Sequence, residues 1–563
     1  MSVQDSFLLR FIRLAGLFWN SEHKFSIRKD TLLLVLLTIF QIGMAVVTTQ
    51  WNADLFDALE QRSRVGIMRQ VGLLLAIFLV SIAVTTYHLV VKRRLLIGWR
   101  SWLTEKVTAK WMQRGRHYQI TLIPEGDHDN PDGRIAEDIR IATEEAIALA
   151  HSLFYSLLLL GSFSKILWSL SGTVIINLRL IAFPLAGYLV WLAIAYSLTA
   201  SILGWWMGKA LTKATHVRQM EEANYRHDLI KAQENSQAIA FLQGEHNEQR
   251  RFLAAFQAII DTYEQQTAAW KKIQIFSSGY SVLSMAVPIL AAAPRYIVGA
   301  ITLGTLMQSV QAFGHLVSAL SWPVNNMPSI AKWRASVERV LDLDKALDDL
   351  ELDIACLDAR QICLTETKES VLKLKNLSLA NVQGVALSSP ISYEIKAGER
   401  VLMVGDTGVA NRLFQAIAGL WPWGSGHIVI PMGQAQFFMP PRPYLPTGTL
   451  LDAICYPKTT VDFKRADVER WLKKLELKEL APQLDEVKNW QQLLSRERQA
   501  AIGVTTCFIV SAAMDFYSRS FFDSLTQEGE TQMLAILTKK KIFHQATIVK
   551  YYQPTNGRSV PST

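Results

Sequence analysis

The first 355 residues contain no cysteine, and the chain's four, Cys356, Cys363, Cys455 and Cys507, all follow them. Their spacing matches no zinc pattern, and a cytosolic location would keep them reduced, so a disulfide scaffold is excluded and no metal site is expected. There is no internal repeat and no low-complexity tract, which excludes a solenoid or a tail-like protein. No signal peptide is expected, because the opening stretch carries Arg10, Arg13, Lys24, Arg28 and Lys29 and is too polar for one.

What the chain has is apolar length and an excess of positive charge. Half of its 563 residues are hydrophobic (50%), with a mean hydropathy of +0.16. That balance suits a protein part membrane and part soluble. The net charge of +9 comes from basic residues beside the apolar runs, which reads as membrane topology; no nucleic-acid partner is expected. A helix crosses a bilayer with roughly 20 mainly apolar residues. Six runs qualify: 32–49, 71–91, 146–170, 180–206, and the more polar 275–293 and 303–323.

Basic residues crowd the N-terminal segment, the stretch from Lys92 to Arg116, and the stretch from Lys209 to Lys272. These should face the cytosol. The connection 52–70 then faces outside, with short ones near Gly172 and Arg295, and both termini are cytosolic. Segments 92–145 and 209–272 carry helical periodicity with charge, so they should extend the membrane helices into the cytosol. The expected order is a transmembrane domain over 1–350, a linker over 351–370, and a soluble α/β domain over 371–563. Trp51, Trp205 and Trp206 suit anchoring at the membrane interface.

In the last domain an apolar strand, Val401-Leu-Met-Val, runs into Gly405-Asp406-Thr407-Gly408-Val409-Ala410-Asn411-Arg412 and an apolar helix start. That is the frame of a phosphate-binding loop, G-x-x-x-x-G-K-[ST]. Ala410 stands where the last glycine belongs, Asn411 where the lysine belongs, and Arg412 where the hydroxyl belongs. On these residues alone, an ordinary strand–turn–helix is an equal alternative.

Six spans, long cytosolic helices and an α/β nucleotide-binding frame together resemble an ABC half-transporter of exporter-like architecture. Three strings narrow the resemblance: Gln50-Trp-Asn-Ala-Asp54-Leu-Phe-Asp57-Ala-Leu59, Asp129-Asn-Pro-Asp132-Gly-Arg134-Ile-Ala-Glu137-Asp138-Ile139, and the stretch from Asn224-Tyr-Arg226 to Gly244-Glu245. With Arg442-Pro-Tyr-Leu-Pro-Thr-Gly-Thr-Leu450 and Trp421-Pro-Trp423, they resemble the bacterial subgroup related to SbmA/BacA importers. That subgroup includes fused permease/ATPase proteins of the YddA type and mycobacterial cobalamin transporters; peroxisomal fatty-acyl half-transporters are more distant relatives. The resemblance implies a multi-pass protein of the bacterial inner membrane, working as a homodimer or a heterodimer with another half-transporter. It implies a peptide-like or cobalamin-like solute.

It also implies which residues should hold Mg-ATP, and most are replaced. Asn411, or with a one-residue gap Arg412, takes the place of the lysine that neutralises phosphate oxygens; an arginine is not an equivalent donor. Pro441 replaces the family's Q-loop glutamine. Leu494-Ser495-Arg496-Glu497-Arg498-Gln499 stands for the signature Leu-Ser-Gly-Gly-Glu-Gln without either glycine. Counting back from Asp523, Arg519 takes the place of the metal-binding aspartate and Ser520 that of the catalytic glutamate. Tyr552 or Gln553 replaces the switch histidine. A single missing transition-state donor costs on the order of 10²–10³ in rate, so little turnover is expected. ATP binding, if retained, should be feeble and the Mg²⁺ site lost.

An alternative engine is available by the same resemblance, since SbmA/BacA importers are proton-coupled and have no nucleotide-binding domain. Asp54, Asp57 and Glu60 fall at i, i+3 and i+6, close to one helical face at the outer end of the first span. They are read either as a proton or substrate path or as a solvated acidic face. Glu144 and Glu145, at the cytosolic mouth of the third span, read as interface charges. Asp132, Arg134, Glu137 and Asp138 lie between the second and third spans, where the resemblance implies domain coupling; a solvated helix cap is the competing reading. The expectation is thus an ABC-type transporter subunit with impaired or absent ATP hydrolysis. Its rivals are a proton-coupled carrier that keeps the last domain as a dimerisation scaffold, and a non-transporting regulatory or assembly subunit.

Overall fold

The computed structural model describes residues 7–123, 130–178, 181–354, 361–369, 371–396, 407–432, 438 and 443–512. The chain divides into two compact units, Met1–Glu105 with Asp132–Leu341, and Lys106–Pro131 with Asp342–Thr563.

The first unit is built of helices: α1 (Phe7–Trp19), α2 (Lys24–Glu60), most of α3 (Arg64–Met112), α4 (Ile139–Ser171), α5 (Tyr188–Glu234), α6 (Glu245–Ile297), α7 (Leu303–Leu320) and the start of α8 (Trp322–Ile354). Among the described residues, five helical stretches are long and apolar enough to cross a membrane: Lys24–Glu60, Arg64–Leu122, Pro131–Ser171, Tyr188–Glu234 and Glu245–Ile297. The helices overshoot what a bilayer needs. With 53 residues, α6 is about 80 Å long, against a hydrocarbon core of roughly 30 Å.

The helix at the expected sixth span, α7, is not among those five. Gln308, Gln311 and His315 lower its hydropathy, and its position explains them. Ala312, Phe313 and Leu316 are buried in one cluster with Ile42, Phe163, Leu167 and Ala193 of the surrounding helices. A helix sheathed by protein has no need of an apolar surface all round.

The fourth apolar run also differs from its expected start at residue 180. Residues Thr173–Leu178 and Ile181–Ala186 form an antiparallel hairpin, β1 and β2, and the helix begins only at Tyr188. Pro184 cannot donate to a helical ladder, and Gly187 takes a left-handed φ of 69° that stops the strand and starts the helix. At the N-terminus, α1 packs by aromatic rings. Phe11, Phe18 and Trp19 meet Trp99, and Phe11 also meets Trp333, with centroids 4.9–6.2 Å apart.

The second unit has two cores. One is a four-stranded mixed sheet, order β3-β6-β4-β5, from β3 (Cys363–Thr367), β4 (Val371–Leu379), β5 (Ile391–Lys396) and β6 (Gly424–Pro431). The β3/β6 pair is parallel and the other two are antiparallel. So β3 lies within 351–370, where a linker was expected. Its five residues alternate too weakly between apolar and polar to signal a strand without their neighbour. On this sheet sits α9 (Thr407–Ile417), whose Leu413, Ala416 and Ile417 pack with Leu374, Leu377 and Ile428. The other core is helical: α10 (Leu450–Cys455), α11 (Arg465–Lys474) and α12 (Arg496–Ala512) bury Leu450, Ile454, Val468, Leu472 and Ile502 around Trp490.

Candidate functional site

In the first unit, α2 runs on through Asp54, Asp57 and Glu60, so the spacing does place them on one helix. Two of the three meet the start of α7. A helix begins with backbone N–H groups that have no partner within it. Here Glu60 Oε2 accepts from Leu303 N at 3.0 Å, Asp57 Oδ1 from Gly304 N at 2.8 Å, and the N-cap Thr302 Oγ1 from Thr305 N at 3.2 Å. Leu306 N then closes on Thr302 O at 3.0 Å. Every early N–H is satisfied, and two carboxylates sit where the helix dipole favours negative charge. Tyr296 donates its hydroxyl to the other oxygen of Glu60 at 3.1 Å. Asp54 stands apart and accepts from Gln50 Nε2 at 3.0 Å.

This joint requires glycine at 304. A Cβ there would lie 2.2 Å from Ala53 O and 2.4 Å from Asp57 Oδ1. Reading the sequence found the acidic triplet and missed the glycine 247 positions from Asp57 that lets it reach backbone.

The second charged set, Asp132, Arg134, Glu137 and Asp138, lies on a short helical turn and a π-helical stretch leading into α4. Asp138 is buried and holds the Arg339 guanidinium through both carboxylate oxygens, with Nε at 2.8 Å from Oδ2. The hydrogen bonds to Asp138 push the Arg339 pKa above its ordinary value. Glu137 and Glu144 flank Arg140 at 3.7 and 3.3 Å. All of these contacts stay within the first unit.

In the second unit, the residues from the 106–131 segment that touch the sheet core are ones that sequence reading did not single out. Tyr118 Oη accepts from Gln415 Nε2 on α9 at 2.7 Å. Gln119, fully buried, donates to Gly419 O and Leu420 O at 3.4 Å each. Leu122 packs against the sheet's apolar cluster. Gly115 adopts φ 78° and approaches Leu420 so closely that a Cβ would stand 2.4 Å from its Cδ2. Arg116, 2% exposed, pairs with Glu351 at 3.1 Å, and Lys110 pairs with Asp344 and Asp348 at 2.6 and 2.7 Å. The signal available in the sequence was a cluster of His117, Tyr118 and Gln119 among charges, which resembles any solvated turn.

Of the expected phosphate loop, the described residues begin at Thr407, the first residue of α9. Gly405 and Asp406 lie outside the described residues, as do Pro441, Arg519, Ser520, Tyr552 and Gln553. Gly408 and Asn411 are exposed, and Val409 and Ala410 are half-buried. The Arg412 guanidinium lies 5.2 Å from the Trp421 ring centroid, a cation–π contact. The signature-like stretch opens α12. Leu494 is buried, Ser495 accepts from Arg498 N at 3.4 Å, and Arg496, Glu497 and Arg498 are exposed.

Residues 19–297 match the family described as ABC transporter transmembrane region 2. The first unit is similar to the transmembrane region of ABC transporters. That region takes in α2 to α6, and with them the carboxylates that cap α7. Relatives extend the likeness beyond the transmembrane region. An uncharacterized ABC transporter ATP-binding protein of Haemophilus influenzae is 27% identical over 521 residues, 92% of this chain and 85% of its own. The inner membrane ABC transporter ATP-binding protein YddA of Escherichia coli is 24% identical over 559 residues, 97% of this chain and 95% of its own. The lysosomal cobalamin transporter ABCD4 of Homo sapiens is 23% identical over 595 residues, covering 97% and 94%. The chain is thus similar along its length to membrane transporter subunits with an ATP-binding part.

Proposed function

We propose that this chain is an ABC half-transporter of the SbmA/BacA-like, YddA-type subgroup whose nucleotide-binding domain hydrolyses ATP negligibly. In this reading α2 to α7 make six spans, both termini face the cytosol of a bacterium, and two subunits pair in the inner membrane. Residues 1–350 form the transmembrane part, and 371–563 form the degenerate domain that coupling residues must reach. The sheet core with α9, beside a separate helical core, supports a nucleotide-binding ancestry.

The observation that carries the reading is the start of α9. In this reading the helix start is what remains of a phosphate loop, with Asn411 at the lysine's position, and the Arg412 guanidinium lies 5.2 Å from the Trp421 ring centroid. A guanidinium resting on an indole is a structural contact, and using it on a phosphate would mean breaking that contact. The replacements at Pro441, Arg519 and Ser520 remove a water and metal contact, a metal ligand and a base in the same reading. Arg519 would set positive charge against Mg²⁺. Backbone amides at the helix start can still attract phosphate without side chains, so feeble ATP binding without Mg²⁺ fits the proposal. Relatives that move cobalamin or resemble peptide importers make such a solute the first to test.

The test is Mg-dependent phosphate release by the purified protein in lipid. Release should stay at background, and Arg412→Ala should leave it there. Robust release that Arg412→Ala abolishes would show that Arg412 serves as the missing lysine, and would overturn the proposal.

A further inference from the structure

Between α2, α3, α4 and α7 lies a cavity of about 700 Å³, a size that suits a small-molecule ligand. Its lining is unusual for the apolar half of a membrane protein. His88 from α3, His151 from α4 and His315 from α7 all face it, with Ser81, Gln41 and Gln311 among the other polar groups. Each of these positions falls within or beside an expected span. Polar and ionisable groups at membrane depth are costly to keep and mark solute or ion paths.

The histidines are arranged as a pair and a neighbour. The His88 and His151 rings are 4.6 Å apart between centroids. His88 Nε2 lies 3.5 Å from Thr38 Oγ1, while His151 Nε2 is buried without a hydrogen-bond partner among the described residues. His315 lies against Phe163, ring centroids 4.4 Å apart and tilted by 33°. The charge surrounding the pair is of one sign. Lys92, one turn beyond His88 on α3, is within electrostatic reach of both rings. From α4 the only other titratable lining group is Tyr155, from α7 it is His315, and α2 lines the cavity only with uncharged residues. Among the described lining residues there is no carboxylate. No three described His, Cys, Asp or Glu converge to hold a metal ion, so a metal is a poor occupant.

We propose that this cavity is an anion site in the membrane half, selecting solutes that carry a carboxylate or a similar anionic group, with protonation of the His88–His151 pair supplying the positive charge. The physical reason is charge balance. An imidazolium at membrane depth needs a counter-charge, and since the lining supplies none, the solute must. Below the pH at which the pair accepts a proton, the cavity would turn from a neutral hydrogen-bonding site to a cationic one, linking solute capture to acidification. This rests on the transporter reading and names its solute class. The proton-coupled alternative thereby acquires titratable groups other than Asp57 and Glu60, which are engaged in capping α7.

Because cysteine is absent before Cys356, the test can use Ser81→Cys in the full-length protein in lipid. Labelling at that position is read by mass spectrometry with an anionic sulfonatoethyl and a cationic trimethylammonium-ethyl methanethiosulfonate. Taking the ratio of the two rates cancels the thiol's own pH dependence. Between pH 7.5 and 4 the anion-to-cation ratio should rise severalfold, as added positive charge nearby predicts. In a His88→Gln/His151→Gln background the rise should vanish. A flat ratio down to pH 4, a ratio favouring the cation at pH 4, a rise that survives the double substitution, or no labelling by either reagent would each overturn the proposal. If the double variant fails to fold, the ratio in the Ser81→Cys protein alone still decides between the first two outcomes and the expected one. None of these readouts involves ATP, so failure here leaves the hydrolysis reading to its own test.

Discussion

The two halves of this chain treat their polar residues in opposite ways. In the membrane half, carboxylates at the end of α2 meet backbone N–H groups of α7 across a contact that only glycine permits. Side-chain chemistry and packing there depend on one another. In the C-terminal half, apolar residues seat α9 on the sheet, while at the helix start Asn411 is exposed and Arg412 lies against Trp421. Core packing and exposed polar groups can vary independently when the two rest on different residues. Where they rest on the same residues, as at Gly304, Asp57 and Glu60, neither can change alone.

The sharpest way to break that contrast is Gly304→Val. Two branches would be added where even a Cβ meets Ala53 O at 2.2 Å, so α2 and α7 must separate. The cost should be at least the ~1–3 kcal/mol of an overpacked core. It should be seen as a lowered melting temperature in detergent and loss of monodisperse protein. A variant as stable as the parent would mean that the two helices are not held together at this joint.

Next in size is the pair Asp57→Asn with Glu60→Gln. The amides keep an acceptor oxygen for each N–H and remove the charge, so the loss should be about 0.5–2 kcal/mol, the range of capping and dipole effects. Melting followed at low and high salt should show the difference shrinking as salt rises. A loss that salt does not alter would assign the stabilisation to hydrogen bonding alone.

Much of this was legible in the sequence. Apolar length marked α2 to α6, and spacing put the acidic triplet on a helix. What sequence could not show depends on neighbours. The 180–206 run reads as a single helix until the pairing of β1 with β2 claims its start. The polar residues of α7 lower its hydropathy, and two of them, Gln311 and His315, line a cavity. Tyr118 and Gln119 carry no local signal, since their partners, Gln415, Gly419 and Leu420, are some 300 positions away. The histidines at 88, 151 and 315 each stand alone in an apolar run and become a group only when three helices bring them to one cavity.

The smallest expected effect sharpens the other side of the comparison, because it probes a core that should be plain packing. Burial, with Asp452 and Asp462 nearby, pushes the Cys455 thiol from its ordinary 9 up to about 11. Its protonated form is therefore favoured by the fold. The stability this supplies is complete below pH 9 and is lost as the pH rises through about 11. Iodoacetamide at pH 8 should leave Cys455 unmodified in native protein and alkylate it in urea. Rapid native alkylation would show that the helical core around α10 opens readily.

The lengths of α5 and α6 have a mechanical consequence. Packed side by side over 47 and 53 residues, the two make a rod about 70–80 Å long. A rod turns angle into distance: tilting it by ~5° about one end sweeps the other through roughly 7 Å, more than one helical turn. Ala240-Phe241-Leu242, with Phe241 and Leu242 some 80% exposed, sits at the tip where that sweep is greatest. A tilt of that size arising near Pro288 and Pro294, at the opposite end of α6, would reach the tip as a stroke long enough to engage or release whatever it touches.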